Sequence, residues 1–163
     1  MYILGDIGNS ETKVYLINPK NKIIRNISLT TKKISKEILN QKFRYLVKDF
    51  KSIKKILFCS VVPKSFDLIK KFLSKNLKIK CYEVKELKLG SLINIKANFK
   101  QVGSDRLTNA ISLLNNKDNF IILDFGTATT FDIVTQKSYR GGIIAPGIKI
   151  SLNTLSDKAT LIP

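Results

Sequence analysis

Two short segments carry the residue types that chemistry needs. Asp6-Ile7-Gly8-Asn9-Ser10-Glu11-Thr12 and Asp124-Phe125-Gly126-Thr127-Ala128-Thr129-Thr130 share the pattern D-[IF]-G-x-x-x-T. In each, an Asp closes an apolar run and a Gly-bearing turn leads into a second apolar run. Glycine lets the backbone approach a ligand closely. Turn amides together with Ser and Thr hydroxyls can cradle phosphate oxygens. The carboxylate can hold a hydrated Mg²⁺ or another cation against them. One such segment alone reads as an ordinary hairpin turn, because Asp, Gly and Thr are routine turn residues. Two in matching context point to a duplicated strand–turn–strand unit that grips a polyphosphate from two sides. Lys13 adds a charge near the phosphates or stands solvated.

A third segment, Gly103-Ser104-Asp105-Arg106, opens a helical pattern. Ser104 can cap that helix. The helix dipole keeps Asp105 ionised, and an ionised carboxylate beside a substrate hydroxyl can act as general base. Arg106 offers a planar fork for a carboxylate or phosphate. A helix start with a local ion pair accounts for the same four residues. A fourth segment, Gly141-Gly142-Ile143-Ile144-Ala145-Pro146-Gly147, reads on its own as a strand followed by a turn, its glycines permitting close backbone packing.

The elements that must position these residues alternate between sheet and helix. Apolar runs at 2–6 and 12–18 predict a hairpin, and 22–29 a third strand. Ser35 caps a helix with the stripe Ile38, Leu39, Phe43, Leu46, Val47 and Phe50. Residues 55–62 form a strand. Pro63 opens a helix with Phe66, Leu68, Ile69 and Phe72 inward. Another strand covers 79–84, and 85–102 is a connecting segment. A helix from Ser104 places Leu107, Ala110, Ile111 and Leu114 on one face. Strands follow at 119–124, 129–135 and 139–145, and a last helix starts near Pro146. This order predicts an α/β fold with mixed sheets.

Composition excludes several function classes. The chain of 163 residues contains no histidine, which removes Ser-His-Asp triads, Cys-His pairs and histidine metal sites. Cys59 and Cys81 are the only cysteines and sit in separate apolar runs, as buried free thiols of a reducing cytosol do. The net charge of +17 is carried mostly by dispersed lysines in a chain rich in Lys, Ile and Asn. It lacks the aromatic-and-Arg stretches of stacking platforms, so specific nucleic-acid binding is not expected. Met1-Tyr2-Ile3-Leu4-Gly5-Asp6 has no basic leader region, and no apolar run approaches the roughly 20 residues that span a bilayer. A cytoplasmic location is expected.

Taken together, the four segments resemble type III pantothenate kinase. Asp6-Ile7-Gly8-Asn9-Ser10 looks like that family's first phosphate motif, and Gly103-Ser104-Asp105-Arg106-Leu107-Thr108-Asn109-Ala110 like its G-x-D-R substrate motif. Asp124-Phe125-Gly126-Thr127-Ala128-Thr129-Thr130-Phe131-Asp132 is similar to its second phosphate motif, and 141–147 to the strand and turn that follow. The resemblance implies a duplicated ribonuclease-H-like (actin-like ATPase) fold of the sugar kinase–actin superfamily, with a first half over 1–100 and an incomplete second half over 101–163. It implies ATP-dependent phosphorylation of pantothenate to 4′-phosphopantothenate, the first step of coenzyme A biosynthesis.

The same resemblance assigns Asp6, Ile7, Gly8, Asn9, Ser10, Glu11, Thr12, Lys13 and Thr127 to ATP. It makes Asp105 the catalytic base and places Gly103, Ser104 and Arg106 around pantothenate. Asp6 organises Mg²⁺, directly or through water, and Asp124 a monovalent cation, K⁺ or NH₄⁺. The family implies a homodimer. Two departures stand out. Lys96 occupies a position where the family has Tyr, which suggests a different acceptor as one alternative. The chain also stops at Pro163, where the family continues, so a C-terminally truncated and weakly active fragment is expected. A non-catalytic accessory regulator or nucleic-acid-associated protein on the same fold is the other alternative.

Overall fold

The computed structural model describes residues 1–47, 53–114 and 118–159, and divides the chain into two compact units. The first comprises Met1–Lys88 with Gly103–Asp105, the second Leu89–Val102 with Arg106–Pro163.

In the first unit, β1 (Tyr2–Ile7), β2 (Glu11–Ile17) and β3 (Ile23–Thr30) form an antiparallel meander. The chain then passes through α1 (Lys36–Val47) to β4 (Lys55–Ser60), which lies parallel to β1. Next, α2 (Pro63–Leu77) leads to β5 (Cys81–Glu83), parallel to β4, so the sheet order is β3-β2-β1-β4-β5. Antiparallel hairpins need only turns, whereas each parallel step needs a helical crossover, and both occur here. Alternation along the strands sends Ile3, Ile7, Val14, Leu16, Ile56 and Phe58 into one core with Leu39, Phe43 and Leu46 of α1 and Phe66, Ile69 and Leu73 of α2. Phe43 and Phe72 meet edge-on, with ring centroids 5.4 Å apart.

Two expectations change in this unit. Leu68 points outward at 46 % exposure while Leu73 is buried. Positions 66, 69 and 73 share one helical face, and 68 lies to the side of it. The strand expected at 79–84 shortens to three residues, because Lys78 ends α2 in the left-handed region (φ 52°) and a capping box between Glu83 and Glu86 turns 84–86 into a 3₁₀ helix. Ser35 does cap α1: its Oγ accepts the Ile38 N–H at 3.3 Å. Of the expected stripe, Phe50 and the side chain of Val47 lie outside the described residues.

In the second unit, β7 (Asn119–Phe125), β8 (Ala128–Thr135) and β9 (Ser138–Pro146) repeat the antiparallel meander, and β6 (Asn94–Ile95) runs parallel to β9. The connecting segment 85–102 therefore supplies a short strand. Helix α3 (Ser104–Ser112) buries Leu107 and Ala110 fully, and it ends before Leu114. Helix α4 (Ile148–Lys158) has no buried residue. Ile121, Leu123 and Phe125 of β7 share one sheet face with Ile133 and Ile143, and all five are exposed. Among the described residues no helix is long and apolar enough to cross a membrane.

Candidate active site

The first Asp-Gly turn is built by pairing register. Asp6 stands opposite Lys13 of β2 and beside Cys59 of β4, while Ile7 stands opposite Thr12 and beside Ser60. Neighbours in register share a sheet face, so Asp6, Lys13 and Cys59 project one way and Ile7 and Thr12 the other, into the core. Four residues, 8–11, separate the closing pair Ile7 and Thr12. The Gly8 N–H donates to the Glu11 carbonyl at 3.0 Å. Thr31 anchors this turn: its hydroxyl donates to the Gly8 carbonyl at 2.7 Å and its N–H to the Ser10 carbonyl at 3.0 Å. That hydroxyl has one proton, so the Thr12 hydroxyl, 2.9 Å away, donates to Thr31. The Thr12 hydroxyl and the Ile7 side chain are thus structural, whereas Asn9 and Ser10 are exposed at the tip.

Glu11 and Lys13 form an exposed ion pair at 3.3 Å, and the Ser28 hydroxyl donates to Glu11. The Ser28 hydrogen bond, then Lys13, hold the Glu11 carboxyl below its ordinary range. The Glu11 hydrogen bond raises Lys13.

Asp6 is exposed, and its Oδ1 accepts a hydrogen bond from the nearly buried Cys59 thiol at 3.3 Å. Burial pushes the Cys59 thiol up, and the negative charges of Asp6, Asp105 and Glu83 push it further. Burial likewise pushes the Cys81 thiol up to about 12. Both cysteines are free and buried, as expected.

Asp105 is the second residue of α3. A side chain on Gly103 would collide with the Asp105 carboxylate, so the glycine makes the room that the acid occupies. The Ser104 hydroxyl, almost fully buried, accepts the Ser60 N–H at 2.7 Å and donates to the Ser60 carbonyl at 2.9 Å. The sequence reads Ser104 as a helix cap; the structure uses its hydroxyl to fasten the 103–105 turn to β4.

In the second unit, three residues, 126–128, separate the closing pair Phe125 and Thr129. The Gly126 N–H donates to the Ala128 carbonyl at 2.9 Å, and the Thr127 carbonyl accepts the Gly147 N–H at 3.1 Å. Asp124 is half-buried, and its Oδ2 accepts from the Asn109 amide of α3 at 3.4 Å. Arg106 meets Asp132, which is wholly buried. The Arg106 Nε–H makes the aligned hydrogen bond to Asp132 Oδ1 at 2.8 Å, and Nη2 lies 2.6 Å from the same oxygen as an ion-pair contact. The Tyr139 hydroxyl donates to that oxygen at 2.6 Å, and Thr130 donates to Oδ2 at 3.4 Å. Gly142 lies where the guanidinium crosses the sheet: a Cβ there would stand 2.7 Å from Arg106 Nη2. Arg106 thus reaches a carboxylate 26 positions away, where the sequence suggests a local pair or a ligand. Lys96, at the position where Tyr is expected, is exposed, and its N–H donates to the Tyr139 carbonyl at 2.9 Å.

Sequence reasoning missed Cys59 as a partner of Asp6 and Asp132 as the anchor of Arg106. A signal for the second exists: Asp132 interrupts the run Thr130-Phe131-Asp132-Ile133-Val134, and a buried carboxylate demands a cationic partner.

The fold recurs in solved structures. A protein of the Baf family of transcriptional activators from Campylobacter jejuni matches with a TM-score of 0.55 and 18 % identity, over 97 % of this chain and 61 % of that one. A protein described as a 2-dehydro-3-deoxygalactonokinase from Sinorhizobium meliloti matches at 0.53 and 11 % identity, over 99 % and 58 %. The type II variant of the Aquifex aeolicus Ppx/GppA phosphatase matches at 0.51 and 15 %, over 94 % and 55 %. The expected mixed α/β class is what the structure has, and these solved proteins share its fold.

Residues 2–163 match the model of the type III pantothenate kinase family. A type III pantothenate kinase from Pelagibacter ubique (strain HTCC1062) is 61 % identical over 163 residues, all of this chain and 66 % of that protein. Another from Citrifermentans bemidjiense is 38 % identical over 172 residues, again with all of this chain and 66 % of the relative. The chain belongs to the type III pantothenate kinase family, and it spans 66 % of the length of these two relatives.

Proposed function

We propose that the protein carrying this chain transfers the γ-phosphoryl group of ATP to the primary hydroxyl of pantothenate, giving 4′-phosphopantothenate and ADP. The observation that carries the reading, beyond family membership, is that adjacent residues at the end of β4 hold both acidic segments: the Cys59 thiol donates to Asp6, and the Ser60 backbone is bound by Ser104, the neighbour of Asp105. Phosphoryl transfer needs positioning and charge neutralisation more than covalent chemistry, and a chain without histidine can supply both. Asp105 takes the hydroxyl proton as that oxygen bonds to the γ-phosphorus, and the bond to the β–γ bridging oxygen breaks to release ADP.

The tip of the first turn, Asn9 and Ser10, and Thr127 of the second bind phosphate oxygens. Glu11, Lys13 and Thr12 shape the first turn through the contacts described. We assign Gly103, Ser104 and Arg106 to pantothenate binding, the latter two acting through what they hold, Ser60 and Asp132. Asp6, an exposed carboxylate, is a hard oxygen donor of the kind Mg²⁺ takes. Asp124, half-buried beside Asn109, offers oxygen to K⁺ or NH₄⁺. Bound there, the cations neutralise phosphate charge. We read the two units as the two ribonuclease-H-like halves and place the reaction in the cytoplasm. The exposed apolar face of β7, β8 and β9 supports association into a homodimer.

The test is ATP- and pantothenate-dependent formation of phosphopantothenate by the whole gene product, followed by mass spectrometry and ADP release. Asp105→Asn is expected to lower kcat by roughly 10² to 10⁴. Wild-type rates in that variant remove Asp105 from the base role. Turnover of a different hydroxy acid, with pantothenate inert, keeps the reaction class and replaces the acceptor.

A further inference from the structure

The last two residues of β4 touch both acidic segments of the site. The Cys59 thiol donates to Asp6 Oδ1 at 3.3 Å. One residue on, both backbone polar groups of Ser60 are bound by the Ser104 hydroxyl, at 2.7 and 2.9 Å. Ser104 directly precedes Asp105, and its side chain is 1 % exposed. We infer that the Cys59-Ser60 end of β4 is a positioning device that sets the place of both carboxylates: the thiol orients Asp6, and the Ser60 backbone, through the Ser104 hydroxyl, stations Asp105.

Strand β4 suits this role. It lies inside the five-stranded sheet, paired with β1 on one side and β5 on the other, and its Ile56 and Phe58 are fully buried. A support fixed in a close-packed sheet transmits little slack to what it holds. The two links have different chemistry. A thiol is a weak donor, enough to select one orientation of an exposed carboxylate without neutralising it. The Ser104 link is a pair of ordinary hydrogen bonds in a buried place, and its loss removes the donor to the Ser60 C=O and the shorter of the two acceptors of the Ser60 N–H. The Ser60 N–H also approaches Glu83 Oε1 at 3.3 Å, a longer contact that does not involve the Asp105 turn. Cys59 and Ser104 are positioning residues, acting through Asp6 and Asp105.

This inference rests on the proposed reaction, so wild-type turnover is established first. If the whole protein makes no phosphopantothenate, the proposed function fails, whatever the variants do. Given turnover, Ser104→Ala is expected to lower kcat by roughly ten- to a hundredfold with KM for ATP little changed, and Ser104→Thr, which keeps a hydroxyl, to recover most of that loss. Cys59→Ala is expected to raise the Mg²⁺ concentration for half-maximal rate severalfold, and Cys59→Ser to bring it back. Thermal denaturation of each variant gives the folded fraction against which kcat is scaled. The positioning role is overturned if Ser104→Ala retains wild-type kcat per folded protein. It is equally overturned if Cys59→Ala loses rate only in proportion to its folded fraction, with the Mg²⁺ midpoint unmoved.

Discussion

The two Asp-Gly turns carry the same pattern and fold differently. In the first, four residues separate the closing pair, and Asp6 faces Lys13. In the second, three do, and Asp124 faces Thr130. The last Thr of the pattern therefore changes sides. Thr12 lies on the face opposite Asp6, with its hydroxyl buried against Thr31. Thr130 shares the face of Asp124 and donates to Asp132. A slip of one residue in a hairpin exchanges every side chain between faces. Sequence similarity at a turn thus fixes which residues are present, while loop length decides which of them a ligand can meet. The supports differ as well. Neutral hydroxyls brace the first turn, and a buried ion network lies beneath the second.

That contrast predicts a graded set of losses. The largest belongs to the ion network: Arg106→Met leaves Asp132 buried without its cation, and about 3–5 kcal/mol of stability is expected to go. Chemical denaturation measures it, and a loss below about 1 kcal/mol would make the second turn as neutrally held as the first. Next comes Thr12→Val, which removes a buried hydroxyl that Thr31 relies on and should cost about 1–2 kcal/mol. Thr130→Val, with a 3.4 Å bond only, should stay within about 0.5 kcal/mol. Equal losses for the two threonines would erase the contrast in register.

The smallest effect is electrostatic. Glu11 is held below the ordinary carboxylate range, so the folded form is favoured above that range and the advantage disappears as pH falls through the lowered value. Titration followed by NMR should place Glu11 below the ordinary glutamate value, and added salt should move it back up. An unshifted Glu11 would dissolve the Ser28 and Lys13 contacts assigned to the first turn.

Most of the framework was legible in the sequence because it rests on local pattern. Alternating apolar residues marked β1, β2, β3, β4, β7, β8 and β9, and Ser35 and Pro63 marked two helix starts. The site was legible as a set of residues and not as a geometry. Asp6, Asp105 and Asp124 stood out by type and context, but nothing local says that Asp6 and the turn that carries Asp105 are both fastened to the end of β4. Ser104 looked like a cap because capping is what serine usually does at a helix start. Its bond to Ser60 spans 44 positions. The partner of Arg106 was illegible for the same reason: it lies on another element, and only the folded sheet brings Asp132 beneath it. Leu68 and Leu73 show the residual error of helical periodicity, where one apolar side chain too many leaves the buried face undecided.

The crowding at Gly142 has an evolutionary consequence. A methyl group at that position would collide with the Phe131 carbonyl of the neighbouring strand and crowd Arg106, so drift there is closed by the sheet itself whatever residue holds position 106. Replacing the arginine first would strand a buried acid. Positions 106 and 132 can therefore change only together, while 142 stays glycine in either case, and a lineage that abandons the arginine should be found to have abandoned the buried acid too.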